Sequence, residues 1–139
     1  MADIAPVPAS VLLVSGSVAE IRAGGTVTAG AFVYRATDGD YEVAKADANT
    51  TDAVEGIALC GASNGQPLTM ALPGSVVNMG ATLSIGKVYA LSDATAGAMM
   101  PVDDISNNEY VTQVGVALTA ANLSFYTIVS NVLAAASVT

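Results

Sequence analysis

The residues with the most chemical potential in this chain are its acids, twelve against four bases, and a single thiol. Asp38, Asp40 and Glu42 alternate around Gly39, a concentration of oxygen that invites a calcium reading. The stretch lacks the spacing of an EF-hand loop and its terminal bidentate Glu. Alternating acids beside a glycine turn read instead as the solvated side of a hairpin. Asp103-Asp104 reads in the same way as the start of a turn. The chain has no histidine, which removes the commonest general base and the commonest zinc ligand, and Ser-His-Asp and Cys-His sites go with it. Cys60 closes the apolar run Ile57-Ala58-Leu59, so a buried, inert thiol is expected. One cysteine permits no internal disulfide.

The glycine-rich stretches Gly24-Gly25 and residues 61–65 have neither the spacing of a phosphate loop nor a following GK[ST]. A pair of carboxylates for glycoside hydrolysis could come from any two loops, but sugar sites usually display aromatic platforms and the chain has no Trp. Met99-Met100, which spacing aligns with Val43-Ala44, reads as core or interface filler. No residue is assigned a catalytic, metal-binding or cofactor-binding role, and no cofactor is called for. The expectation is a protein that is not an enzyme.

The elements around these residues are short strands. Residues 1–10, MADIAPVPAS, carry Pro6 and Pro8 around Val7, which favours an extended path and blocks helix. Together with Ile4, they form an extended N-terminal arm suited to docking on a neighbouring subunit. Residues 11–14 and 18–22 read as strands separated by Ser15-Gly16-Ser17. Residues 31–36 contain Phe32, Val33 and Tyr34 and form a strand. Asp38-Gly39 then signals a hairpin into Tyr41 and Val43. Residues 54–60 read as a buried strand, Asn64-Gly65 and Pro73-Gly74 as turns, and residues 67–72, 76–77, 87–91, 110–118 and 123–129 as further strands. Alternation at Tyr110, Thr112 and Val114 marks a half-exposed strand. Only residues 133–136 look helical, and an isolated turn that short is unstable.

Two stretches resemble each other. Residues 26–59 and 82–118 align Thr26 with Thr82, Val27 with Leu83, Thr28 with Ser84, Gly30 with Gly86 and Asp47 with Asp103. After a slip of three residues, Gly56-Ile57-Ala58-Leu59 meets Gly115-Val116-Ala117-Leu118, as a loop insertion before a strand would produce. Short strands with regular turn signals predict an all-β barrel or sandwich. The expected organisation is the arm at residues 1–10 and a single domain over residues 11–139 that contains this internal pseudo-repeat.

Composition narrows the function. Charged residues make up 12% of the chain, against about 25% in an ordinary domain, so its surface is poor in charge. Small side chains dominate the hydrophobic share and bury little area each. Both properties favour a protein covered by partners. Arg22, Arg35, Lys45 and Lys87 are scattered and the net charge is −8, which disfavours nucleic acid and anionic membrane surfaces. No apolar run approaches the length of a membrane-spanning helix. The first residues lack the basic segment of a secretory leader, so synthesis and folding in a reducing cytoplasm are expected.

Several segments occur in the same order in one group of proteins. They are Gly30-Ala31-Phe32-Val33-Tyr34, Val54-Glu55-Gly56-Ile57-Ala58-Leu59, Gly65-Gln66-Pro67-Leu68, Gly80-Ala81-Thr82-Leu83 through Lys87-Val88-Tyr89-Ala90-Leu91-Ser92, Gly97-Ala98-Met99-Met100-Pro101 and Gly115-Val116-Ala117-Leu118. Over residues 25–130 the chain resembles the head-decoration (capsid cement) proteins of tailed bacteriophages. The resemblance implies a compact β-clip or tulip-like barrel that sits as a homotrimer on the exterior of the virion and bridges major capsid proteins. It also implies that the N-terminal arm, with Ile4, Pro6, Val7 and Pro8 as candidate contacts, adds a strand to a capsid edge. Other readings are a different virion component (head-fibre base, knob or tail protein), a host-surface or carbohydrate-binding module using Asp38, Asp40 and Tyr41, and a small β-clip enzyme.

Overall fold

The computed structural model describes Ile4, residues 10–45, 53–92, Thr95, 97–102 and 110–133, with the side chains at 110, 111 and 128–133 excepted. The described residues form eleven strands and no helix. They are β1 (Val11–Ser15), β2 (Val18–Arg22), β3 (Phe32–Arg35), β4 (Tyr41–Val43), β5 (Val54–Ala58), β6 (Pro67–Ala71), β7 (Val76–Met79), β8 (Val88–Leu91), β9 (Met99–Pro101), β10 (Tyr110–Ala117) and β11 (Asn122–Leu133). They build two antiparallel sheets, in the orders β2-β6-β5-β3-β4 and β1-β7-β11-β10-β8-β9.

The barrel half of the barrel-or-sandwich expectation fails, because the two sheets are not closed into a barrel. The edges of the five-stranded sheet approach at a single Ala23–Tyr41 bridge among the described residues and form no continuous ladder, and Ile4 bridges Met99 at the edge of the other. The result is a sandwich-like all-β fold. Ring centroids of Phe32 and Phe125 lie 6.0 Å apart at 52°, one ring from each sheet, inside a cluster that includes Ile57, Tyr89, Leu91 and Leu123. Val33 and Ala58 point the other way, into a second cluster with Val27, Tyr41, Leu68 and Met70. Strands β3 and β5 are thus buried on both faces over Phe32-Val33 and Gly56-Ile57-Ala58, which explains the consecutive apolar residues there.

The sheets share a relative order. Taking β2–β6 as one set of five and β7–β11 as the other, each runs first, fifth, fourth, second, third, with β1 added beside β7. Registers correspond as well. Phe32 pairs Ile57, Val33 pairs Gly56 and Tyr34 pairs Val54, skipping Glu55. Val88 pairs Val116, Tyr89 pairs Gly115 and Ala90 pairs Gln113, skipping Val114. Each skip is a β-bulge, which bends the strand and raises its twist. The Gly30 N–H donates to the Ala58 carbonyl at 2.8 Å and the Gly86 N–H to that of Ala117 at 2.8 Å. A side chain at Gly56 would meet the Met70 side chain and the Ala71 carbonyl oxygen at 2.9 Å. One at Gly115 would meet the Ser124 carbonyl oxygen and Leu123.

Boundaries differ in places. Residues 54–60 yield a strand only as far as Ala58, since Leu59 and Cys60 bend away. Strand β11 continues through Leu133, which replaces the start of the expected helical turn, and residues 134–136 lie outside the described set. The two hairpins share a register. Met99 pairs Leu91 as Tyr41 pairs Arg35.

A strand junction ties the sheets together. Strand β1 lies on β7 and β2 on β6, and the chain crosses between sheets at Gly16-Ser17. Buried Ser75 holds that corner: its hydroxyl accepts from the Ser17 N–H and donates to the Ser17 carbonyl, both at 3.2 Å. Ser75→Ala leaves these two backbone groups without that partner. It should cost about 1–2 kcal/mol, readable as a lower urea midpoint with an unchanged slope.

Candidate functional site

The acidic hairpin is built for its own turn. The Asp38 carboxylate Oδ1 accepts the Asp40 N–H at 3.0 Å, an Asx-turn, while Gly39 takes φ 90° and donates to the Ala36 carbonyl at 2.9 Å. Asp40 Oδ2 stands 3.6 Å from Arg22 Nε, and that arginine side chain is 66% exposed, so the pair contributes little. Glu42 lies opposite Tyr34 across the β3–β4 pair. The Tyr34 hydroxyl is pushed above its ordinary value by burial first, then by the negative charges of Glu42 and Asp38. Among the described residues no three His, Cys, Asp or Glu side chains are grouped to hold a metal.

Tyr41 is 8% exposed, and its hydroxyl donates to Glu55 Oε1 at 2.9 Å. It therefore offers no open aromatic platform beside Asp38 and Asp40. Burial raises its pKa first, followed by the hydrogen bond to Glu55 and that residue's charge, with Arg35 opposing. A group whose folded pKa is raised above the unfolded value adds stability at low pH and loses it as pH climbs. Stability should accordingly fall once pH passes the ordinary tyrosine value of 10.0. Tyr41→Phe should flatten that fall while costing about 1 kcal/mol at neutral pH for the lost hydrogen bond. Chemical denaturation at neutral and alkaline pH checks both.

Cys60 is exposed, which corrects the expectation of a buried thiol. The cause is the early end of β5 at Ala58. Met99 and Met100 are fully buried, and they form the edge strand β9. Asp103-Asp104 lie outside the described residues.

Of the arm residues, Ile4 is half-buried, donates its N–H to the Met99 carbonyl at 2.8 Å and packs against the main cluster. Pro6, Val7 and Pro8 lie outside the described residues. The chain matches no protein-family model, and no curated protein is similar to it by sequence search.

The surface feature that motif reading passed over is the outer edge formed by β1 and β2. Leu12, Val14 and Val18 are exposed there, three of the five exposed large apolar side chains among the described residues. Hydropathy alone could not separate these residues from core ones. Exposure depends on what lies beside the strand, which only the topology decides.

Proposed function

We propose that this chain is a non-enzymatic structural protein of a viral particle, a decoration protein that binds the outside of an expanded capsid and stabilises it. The reading rests on the ordered segments by which the sequence resembles head-decoration proteins. Those segments make up much of β3, β5, β8 and β9 and the glycine turns beside them. The scarcity of charge supports it as well. The matched order and registers of the two sheets support an origin in internal duplication. On this reading the major capsid protein is the partner, copies assemble as a homotrimer, and three weak contacts combine into firm attachment. Binding the expanded lattice alone stabilises it by linkage.

Adding purified protein to expanded and immature capsids of the particle that encodes it tests the reading. It should sediment as a trimer and attach to expanded shells only, and failure to attach to either form would overturn the role. Removing residues 1–10 should weaken attachment. Because Ile4 is held by Met99, changing only Pro6, Val7 and Pro8 to Gly separates shell contact from loss of that internal pairing. Full occupancy in both variants would refute the arm mechanism and leave the decoration role standing.

A further inference from the structure

We propose that the open edge formed by β1 and β2 pairs with the same edge of a second copy of this chain, in a two-fold dimer. The two strands follow each other across Gly16-Ser17 and run antiparallel to β7 and β6, so together they edge both sheets. The Leu72 N–H donates to the Ser17 carbonyl at 3.0 Å and the Ala23 N–H to the Gln66 carbonyl at 2.9 Å. Those bonds turn the odd-numbered residues toward β6, and by the alternation of an antiparallel ladder Val18, Glu20 and Arg22 direct their N–H and C=O groups outward. The edge closes at Gly24, whose N–H donates to the Tyr41 carbonyl at 2.7 Å. The open stretch is β2 itself, five residues long, the same length as β1.

Proteins guard such edges with charges, prolines or a covering segment. Along β1 and β2 the only charged residues are Glu20 and Arg22, toward the far end of β2, and there is no proline, while Leu12, Val14 and Val18 are 63%, 51% and 47% exposed. The fold itself indicates the occupant. Strand β7 holds in the six-stranded sheet the place that β2 holds in the other, and among the described residues β7 is covered by β1 while β2 has no strand on its outer side. A strand of β1's kind therefore fits β2, and a second copy presents one with its outer edge free. Since β1 and β2 run in one direction, an antiparallel β1 from the second copy on β2 also brings that copy's β2 alongside β1. Both pairings form about one axis near Gly16, an isologous contact. Two copies of net charge −8 repel each other, and in this pairing Glu20 and Arg22 of β2 lie opposite the uncharged β1 of the other copy, so no like charges face each other across the contact. A two-fold contact cannot by itself build a three-fold assembly, so it stands apart from shell attachment.

Sedimentation equilibrium of the full chain over a concentration series, with amide hydrogen exchange at each concentration, tests this. The wild type should dimerise, or pair its trimers into hexamers, and the amides of Val18, Glu20 and Arg22 should gain protection as concentration rises. The double variant Leu12→Lys/Val18→Lys changes only exposed side chains. It should weaken that association by at least about tenfold and abolish the concentration-dependent protection, with circular dichroism unchanged. A wild type that stays monomeric throughout would overturn the proposal. So would a trimer that neither pairs nor changes in the double variant, a result that leaves the decoration reading intact.

Discussion

Gly16→Ala should be among the most damaging single substitutions in the described chain, lowering stability by ~4 kcal/mol and the melting temperature by about 15 °C. Two independent penalties combine there. Gly16 takes φ 123°, a backbone region that L side chains rarely enter. A methyl at that position would also run into Ser75, whose Cα and Cβ would stand only 2.6 Å away. Ser75 cannot retreat cheaply, because its hydroxyl holds Ser17 and the Phe125 N–H donates to its carbonyl at 2.9 Å. Two control substitutions separate the terms. Gly74 has φ 96° with nothing within 4 Å of an added Cβ, so Gly74→Ala should show conformational strain alone, about 1–2 kcal/mol. Gly25 has open space and no positive φ, so Gly25→Ala should fall within about 0.5 kcal/mol of wild type. If Gly16→Ala cost no more than Gly74→Ala, the corner would be soft, and the view that it locks the sheets together would be wrong.

Local features were the most legible from sequence. The Asp38-Gly39 hairpin was readable because a left-handed glycine beside an Asx-forming acid has a short-range cause, and the turns at Gly65 and Gly74 have the same kind of cause. Strand β9 was missed because Met99-Met100-Pro101 has little intrinsic strand preference. It becomes a strand through antiparallel pairing with the preceding strand β8, a tertiary contact that overrides its weak local preference. Cys60 was misplaced by two residues of strand end, enough to move a side chain from core to solvent. Closure of the sheets into a barrel is a long-range property that alternation cannot report, since sandwiches and barrels share the same strand pattern. The edge position of β1 was equally hidden, because an apolar run reads alike at a sheet's centre and at its border. The acidic hairpin, the most site-like stretch in the sequence, is occupied by its own turn, and the surface with unspent apolar area carries no chemical motif.

Phe32→Ala should cost about 3–5 kcal/mol and Phe125→Ala a similar amount, and the pair should be strongly non-additive. Both rings are about 1% exposed, and their tilted contact at 6.0 Å joins the two sheets. The matched registers sharpen the expectation. Phe32 pairs Ile57 where Val88 pairs Val116, yet Phe32 is buried and Val88 only half-buried. The five-stranded sheet therefore turns toward its neighbour a face whose counterpart on the six-stranded sheet stays partly open. Phe32→Ala should remove one ring of the aromatic joint and leave a cavity against Phe125, whereas Val88→Ala should cost about 1 kcal/mol, with little cavity to leave. In a double-mutant cycle the coupling of Phe32 and Phe125 should reach about 1 kcal/mol or more. A coupling near zero would mean that each ring is held by its own sheet. The two matched sheets would then be separable folding units, and their shared core would contribute far less to holding them together than this geometry requires.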